Sequence, residues 1–468
     1  MKRTWSKFLA LLVSTIIITL QITTVYSADS SLTRQNYIKQ QITGANAFIT
    51  DSNVKQNKYT QMSTSAFNFF RATNHLYYSD LGSGVINVPS QWKTTSNINT
   101  WIQGDFHTQN IGFFENKNGE VIFDLNDSDE SYVAPFYWDL IRFCTSIFLM
   151  TGESNVNLSM QDKRDLTTYF LQKYQDTLNE VNGNNNETTT QLDESYLTSG
   201  FVQDRMRNLK SSKSLSDLLN KWTTISNSKR VFNMANTDLT GVTSTERTNI
   251  TSNYYTYLND IGSFYTSKGS SYFTIKDVVR RLNSGLGSLG VDKFYILIEG
   301  STSSNSDDQI LEVKEQKKPS MFLEGSISQS QYNSWFINDA QRSKTAQKAD
   351  GIRVDDHLGV ETFGGKSYRV TRISPFKNSF DSTDFKSRSD IEDFLKYSAK
   401  ALAYAHARSD KDYNTTYVNY NFEAGALNAI AIWPQFKTTV STLSENYYNQ
   451  VLADYSMFTY LVNTGQME

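Results

Sequence analysis

GDFHTQNIGFFENKNGEVIFDLNDSDE, residues 104–130, decides how this chain is read. Acids recur through it from Asp105 to Glu130, among apolar runs at Ile111 to Phe114 and Val121 to Phe123. Glu115-Asn116-Lys117-Asn118-Gly119 separates those runs, so Trp101 to Asp127 predicts two short strands around a turn. Carboxylates beside buried strands are expensive unless something positive meets them.

The spacing supplies a candidate for that partner. Asp105 and Asn110 are five apart, Asp124 ends the second strand, and Asp127 follows three later. Phosphoryl transfer uses such a set: one carboxylate orients or deprotonates the acceptor hydroxyl, while an Asn and a second carboxylate hold Mg²⁺ against nucleotide phosphates. Hard oxygen ligands suit Mg²⁺, which takes few from the protein and the rest from water and phosphate. The string Gly104-Asp105-Phe106-His107-Thr108-Gln109-Asn110, then Ile122-Phe123-Asp124, resembles the GDxHxxN…(I/V)xD pattern of aminoglycoside-type phosphotransferases. Asp105 is the expected catalytic residue, Asn110 and Asp124 the expected metal ligands, and Asp127 a supporting one. His107 shapes or caps the loop. The competing reading is an acidic surface turn or a structural Ca²⁺ loop over 124–130.

Outward from this stretch, Pro135 to Met150 is apolar nearly all round, which predicts a buried helix with Pro135 in its first turn. Asp139 inside it needs a partner. Arg142 is one candidate; the backbone of the Asp105 loop, as in kinase-like folds, is the other. Much later comes Gly285-Leu286-Gly287-Ser288-Leu289-Gly290, then a strand-like run Phe294 to Ile298, a polar turn at 303–308 and Ile310 to Lys314. Alone, G-x-G-x-x-G is weak. Followed by a hairpin bearing a lysine, it has the order by which a kinase small lobe covers phosphates. Gly285, Gly287, Ser288, Gly290 and Lys314 are therefore the expected nucleotide-binding residues, with Glu324 a guess for the acid partner of Lys314.

In kinases these parts precede the catalytic Asp; here they follow it. A circular permutation reconciles the order, with the helix from Ile391 to Ala407 closing the large lobe. Ser389-Asp390-Ile391-Glu392 is its expected capping box. His406 and Arg408 sit at its C-terminus, where cations suit the dipole. Arg71 either binds an anionic group or makes an ion pair. Residues 158–182, 214–264 and Leu443 to Leu461 read as mainly helical, and Tyr368 to Ile373 as strand.

FNFFR (Phe67 to Arg71), GDFHTQNIGFF…FDLNDSDE…APFYWDLIR, GLGSLG…LEVKEQ and AHARSD (Ala405 to Asp410) together resemble the bacterial domain-of-unknown-function family 2252, over roughly residues 35 to 460. That resemblance brings no established activity, but it implies a kinase-like fold. Two positions depart from the family's pattern: Ala72 stands where it usually has Gly, and Ser128 where its NDFDE string has Phe. Neither replaces an expected ligand.

The resulting expectation is an α+β, two-lobed, protein-kinase-like and circularly permuted fold. Its parts are a signal peptide (1–27), a helical large lobe (28–270) with the catalytic-loop-like segment 101–142, a β-rich small lobe (271–380) and closing helices (381–468). Lys2, Arg3 and Lys7 ahead of the apolar run Phe8 to Leu20 predict an export signal cut after Ser27, the alternative being a retained anchor. No later segment is apolar enough to span a bilayer. A net charge of −3 argues against non-specific nucleic-acid binding. Cys144 is the single cysteine, so no internal disulfide forms, and its apolar setting reads as packing. The four histidines lack metal-ligand spacing for zinc. Three functions fit: a phosphotransferase (or nucleotidyl transferase) using Mg²⁺ and ATP on an acceptor, a non-catalytic exported binding protein on the same fold, and a metal-dependent hydrolase.

Overall fold

The computed structural model describes residues 33–283 and 285–467; the expected export signal lies outside them. After the helices Ser52–Met62, Ala66–Ala72 and Asn74–Ser83 come four short strands, β1 (Asn99–Ile102), β2 (Ile111–Glu115), β3 (Val121–Leu125) and β4 (Tyr132–Pro135). β2 and β3 form the hairpin expected from the sequence, with Gly112 opposite Asp124, while β1 pairs with β4 so that Ile102 meets Tyr132. This pairing sets the loops 103–110 and 126–131 side by side. Pro135, expected in a helix, instead ends β4, where a missing N–H is tolerated.

The helix Tyr137–Glu153 follows and is buried from Tyr137 to Thr151, as its unbroken apolar surface requires. It packs against the helices Ala66–Ala72, Met160–Val181 and Phe436–Asn463. The helix Arg388–Arg408 lies along Met160–Val181 and also touches β3. Its capping box is Ser387 with Asp390, two residues before the expected one, because Glu392 is engaged by Arg388 at 2.8 Å. The last helix begins at Phe436, earlier than the sequence indicated.

Residues 214–264 are helical only at their two ends. Between Leu215–Trp222 and Ser244–Asp260 the chain makes β5 (Thr223–Ser226), β6 (Lys229–Phe232) and β7 (Leu239–Gly241). The main sheet then grows through β8 (Ile275–Arg281), β9 (Lys293–Ile298), β10 (Gln309–Glu315), β11 (Gly359–Phe363) and β12 (Lys366–Arg372). Its spatial order is β11-β12-β10-β9-β8-β7, antiparallel throughout. A short β13 (Asn378–Ser379) returns to pair with β2.

Strand alternation gives this sheet two apolar faces. Leu219 and Trp222 cover Tyr295 and Leu297 on one, while Ile250 and Tyr257 cover Phe294 and Ile296 on the other. The sheet's core thus starts near Leu215, well before the expected boundary at 271. The chain is an α+β protein. No helix among the described residues is long and apolar enough to cross a membrane.

Candidate functional site

The loops 103–110 and 126–131 are held in contact by backbone as well as side chain. Gly104 takes φ +78°, and a Cβ there would lie 2.2 Å from the Glu130 carbonyl oxygen, so glycine is required. The Gly104 carbonyl accepts from Tyr78 Oη at 2.7 Å and Asn74 Nδ2 at 3.1 Å. Asp139 is fully buried. Of its two expected partners the structure has the loop backbone: its carboxylate accepts from the N–H of Gln103 at 2.7 Å and of Gly104 at 3.0 Å. His406 Nε2 stands 3.4 Å from the same carboxylate, and its Nδ1 is 2.9 Å from Tyr174 Oη. His406 therefore reaches into the loop's support and does more than sit at a helix end.

Arg142 pairs with Asp105 rather than Asp139, Nε to Oδ1 at 2.7 Å. Burial pushes the Asp105 carboxyl up, Arg142 holds it back, and the balance stands at about 6. His107 Nε2 is 3.9 Å from the other Asp105 oxygen; burial drives this imidazole well down, so it is neutral, and its Nδ1 accepts from the Gln109 N–H at 3.2 Å. Asn110 Nδ2 donates to the Asp105 carbonyl at 2.9 Å, which fixes the amide against the loop.

From the sheet, the glycine-rich turn 285–290 connects β8 to β9, and Lys314 lies on the next strand, β10. Leu286 of the turn is buried in the core of the helical part, and Lys58 Nζ donates to the carbonyls of Gly287 at 3.0 Å and Leu289 at 3.4 Å. A Cβ on Gly290 (φ +94°) would meet Ile49 at 2.6 Å. The turn is thus docked across a cleft of about 820 Å³, whose lining includes Asp105, Asn110, Asp127, Gly285, Gly287 and Lys314. Ser288 lines it too, whereas Gly290 closes the turn against Ile49 outside the lining.

Lys314 forms an ion pair with Asp129 and lies 4.0 Å from Asp127. Against the pull of burial, these acids raise its pKa. Arg369 reaches Asp129 at 2.9 Å, and Lys293 reaches Glu312 at 3.6 Å. Despite its burial, the surrounding cations hold Glu312 down at about 2. Glu324, the guessed partner of Lys314, instead accepts from Ser326. The fully buried Arg342, on the helix Asp339–Asp350, binds the carbonyls of Ser128, Asp129 and Ser131 and so fixes the acid loop.

Asp124 does not stand with the other expected metal ligands. On β3 it shares the face of Ile122, lines an adjoining cavity of about 100 Å³, and lies 3.4 Å from Arg408 Nη1. Burial raises its pKa, with Arg408 opposing. Arg408 also donates to the Asp350 carbonyl at 2.8 Å, so it joins three separate segments. Arg71 lines the main cleft and forms no ion pair among the described residues. Sequence reasoning missed Lys58, Lys293, Asp129, Glu312, Arg342 and Arg369. Only Asp129 carried a local signal, two residues past Asp127 in the acid run.

A family model described as an uncharacterized protein conserved in bacteria (DUF2252) matches residues 51–461. The chain belongs to this family. No curated protein and no solved structure matches this DUF2252 chain. Its cleft, both loops and the glycine-rich turn, apart from the few residues before 51, all fall within the matched span.

Proposed function

We propose that this DUF2252 protein is a phosphotransferase with a kinase-like, circularly permuted arrangement, moving a phosphoryl group from a nucleoside triphosphate to an acceptor hydroxyl. One observation carries the reading: the glycine-rich turn with Lys314 and the loop with Asp105, far apart in sequence, line one cleft. A turn between two antiparallel strands, a lysine on the third strand and a helix after it is the order of a kinase small lobe. We carry the export of the chain, expected from residues 1–27, as part of the same proposal.

In this reading Lys314 and the turn's backbone meet the donor phosphates. The oxygen donors that fit Mg²⁺ are Asn110 and Asp127, both lining the cleft, with Asp124 left to structural pairing. Two oxygens suit a metal that keeps water and phosphate ligands, and Mg²⁺ there would neutralise charge on the transferring group. Asp105, ionised above about pH 6, orients the acceptor hydroxyl and takes its proton. Asp139 holds the Asp105 loop in place through two N–H groups. Catalysis of this kind is mostly positioning and charge neutralisation.

A second reading, a nucleotide-binding protein without turnover, is favoured by the Arg142 pair, which occupies one oxygen of Asp105. Thermal unfolding with ligands separates the readings. Mg-ATP is expected to raise the unfolding temperature, and Asp127→Ala to remove that rise. Stabilisation with no transfer of the γ-phosphate to any of a panel of alcohols, phenols and proteins favours the binding protein. A rise produced by Mg²⁺ alone favours a metal-dependent hydrolase.

A further inference from the structure

The cleft wall built by the helices Ser52–Met62 and Ala66–Ala72 carries cationic side chains with no carboxylate at ion-pair distance among the described residues. Arg71 has Asn68 Oδ1 at 3.3 Å as its side-chain hydrogen-bond partner, and its buried Nε has none. Asp105, Asp381 and Glu153 attract it only from beyond ion-pair distance, and burial lowers its pKa. Lys58 is satisfied by carbonyls alone, which take its hydrogens without cancelling its charge. Burial and the neighbouring Lys317 push Lys58 down to about 8. Lys317 lies over the Phe48 ring and makes no ion pair among the described residues, Glu315 and Asp292 attracting it only from further off. By contrast, Lys314, Lys293 and Arg369 across the same cleft each face Asp129 or Glu312.

Gathering unpaired cations in a concave, partly desolvated wall is costly unless a ligand brings the opposite charge. Arg71 and Lys58 flank the glycine-rich turn, Arg71 with its backbone carbonyl beside Gly287 and Lys58 through the bond to the Gly287 carbonyl, and both residues line the cleft. The unpaired guanidinium offers the planar donor set that oxyanions take.

We propose that Arg71 forms an oxyanion site for a phosphate group on the wall facing Asp105, with Lys58 and Lys317 adding positive charge along the same cleft. It deepens the phosphotransferase reading and rests on it for the role of the cleft, though not for the binding itself. The phosphate comes either from the donor, beneath the glycine-rich turn, or from an acceptor that already carries one.

The test is titration of the purified protein with orthophosphate and pyrophosphate in the presence of EDTA, followed by calorimetry. Wild-type protein binds, Arg71→Gln loses about tenfold or more in affinity, and Arg71→Lys loses less because it keeps the charge and not the fork. Should Arg71→Gln misfold by circular dichroism, Lys317→Gln at the cleft's mouth carries the test with a smaller loss. Equal affinity in wild type and the variants overturns the site, as does absence of binding to wild type at millimolar anion. A non-hydrolysable Mg-ATP analogue then separates the sources. Competition with orthophosphate, together with weaker analogue binding by Arg71→Gln, assigns the phosphate to the donor. Simultaneous binding with unchanged analogue affinity assigns it to the acceptor. Arg71-dependent phosphate binding without any analogue binding keeps the site and removes the phosphotransferase reading; analogue binding together with γ-phosphate transfer from ATP, without Arg71-dependent phosphate binding, does the reverse.

Discussion

Lys314 on β10 and Asp129 in the acid loop form an ion pair that joins the sheet to the helical part across the floor of the cleft. Lys314 and Arg369 are both buried and both pair with Asp129, so removing it leaves two cations without their contact partner and only Asp127 and Glu312 acting on Lys314. Asp129→Ala is expected to lower stability by about 3 kcal/mol, read as a fall in the urea midpoint. Lys314→Met, which removes the charge itself and leaves Arg369 on Asp129, is expected to cost less stability while abolishing Mg-ATP binding.

Asp139 is the second point of leverage. Asp139→Ala leaves the N–H groups of Gln103 and Gly104 without their acceptor in a buried site, an expected loss of about 3 kcal/mol. Hydrogen exchange measures it directly: those two amides are expected to lose protection before the surrounding strands do.

If the proposed phosphotransfer holds, the acid limb of activity is expected to report on Asp105. Its folded pKa of about 6 predicts kcat/KM rising with pH through that value. Arg142 holds that pKa down, so Arg142→Met is expected to move the limb to higher pH. A limb that stays in place would assign the titration to another group.

Two acids close in sequence are expected to behave differently. Asp127→Asn is expected to remove Mg-dependent nucleotide binding with little change in stability, because Asp127 lines the cleft and is partly exposed. Asp124→Asn acts on the Arg408 pair and is expected to lower stability while Mg-ATP still binds. Paired calorimetry and denaturant curves on both variants check this.

Glu130 links stability to pH. Burial pushes its carboxyl from 4.5 up to about 7, against the Ser320 N–H that it accepts. Between those values the folded state holds a proton that the unfolded chain releases, so this group makes stability fall as pH rises through the window. Glu130→Gln is expected to flatten that slope, measured as unfolding free energy from pH 4.5 to 7.

Much of this geometry was readable where chemistry and periodicity coincide. The β2–β3 hairpin follows from two apolar runs around Asn116 to Gly119, and Asp139 announced itself as a carboxylate inside an apolar helix. Asp124 was misleading because a strand residue's face depends on pairing: opposite Gly112 it turns toward Arg408, while Asp127, beyond the strand, is free to turn into the cleft. β8 escaped notice because a bulge between Ile275 and Asp277 breaks its alternation. The helix Asp339–Asp350 has no apolar stripe; it buries alanines and Arg342, and an arginine that satisfies carbonyls more than 200 positions away leaves no local pattern.

Leu286 at the tip of the glycine-rich turn sits in the hydrophobic interior of the helical part. Lifting the turn therefore means wetting a leucine, roughly 1.5–3 kcal/mol, or a slowing on the order of ten- to a hundredfold. Under the proposed function a bound nucleotide would be retained by that wedge, and product escape would set the pace of turnover. Leu286→Ala is then the change that hastens departure without altering the chemistry beneath.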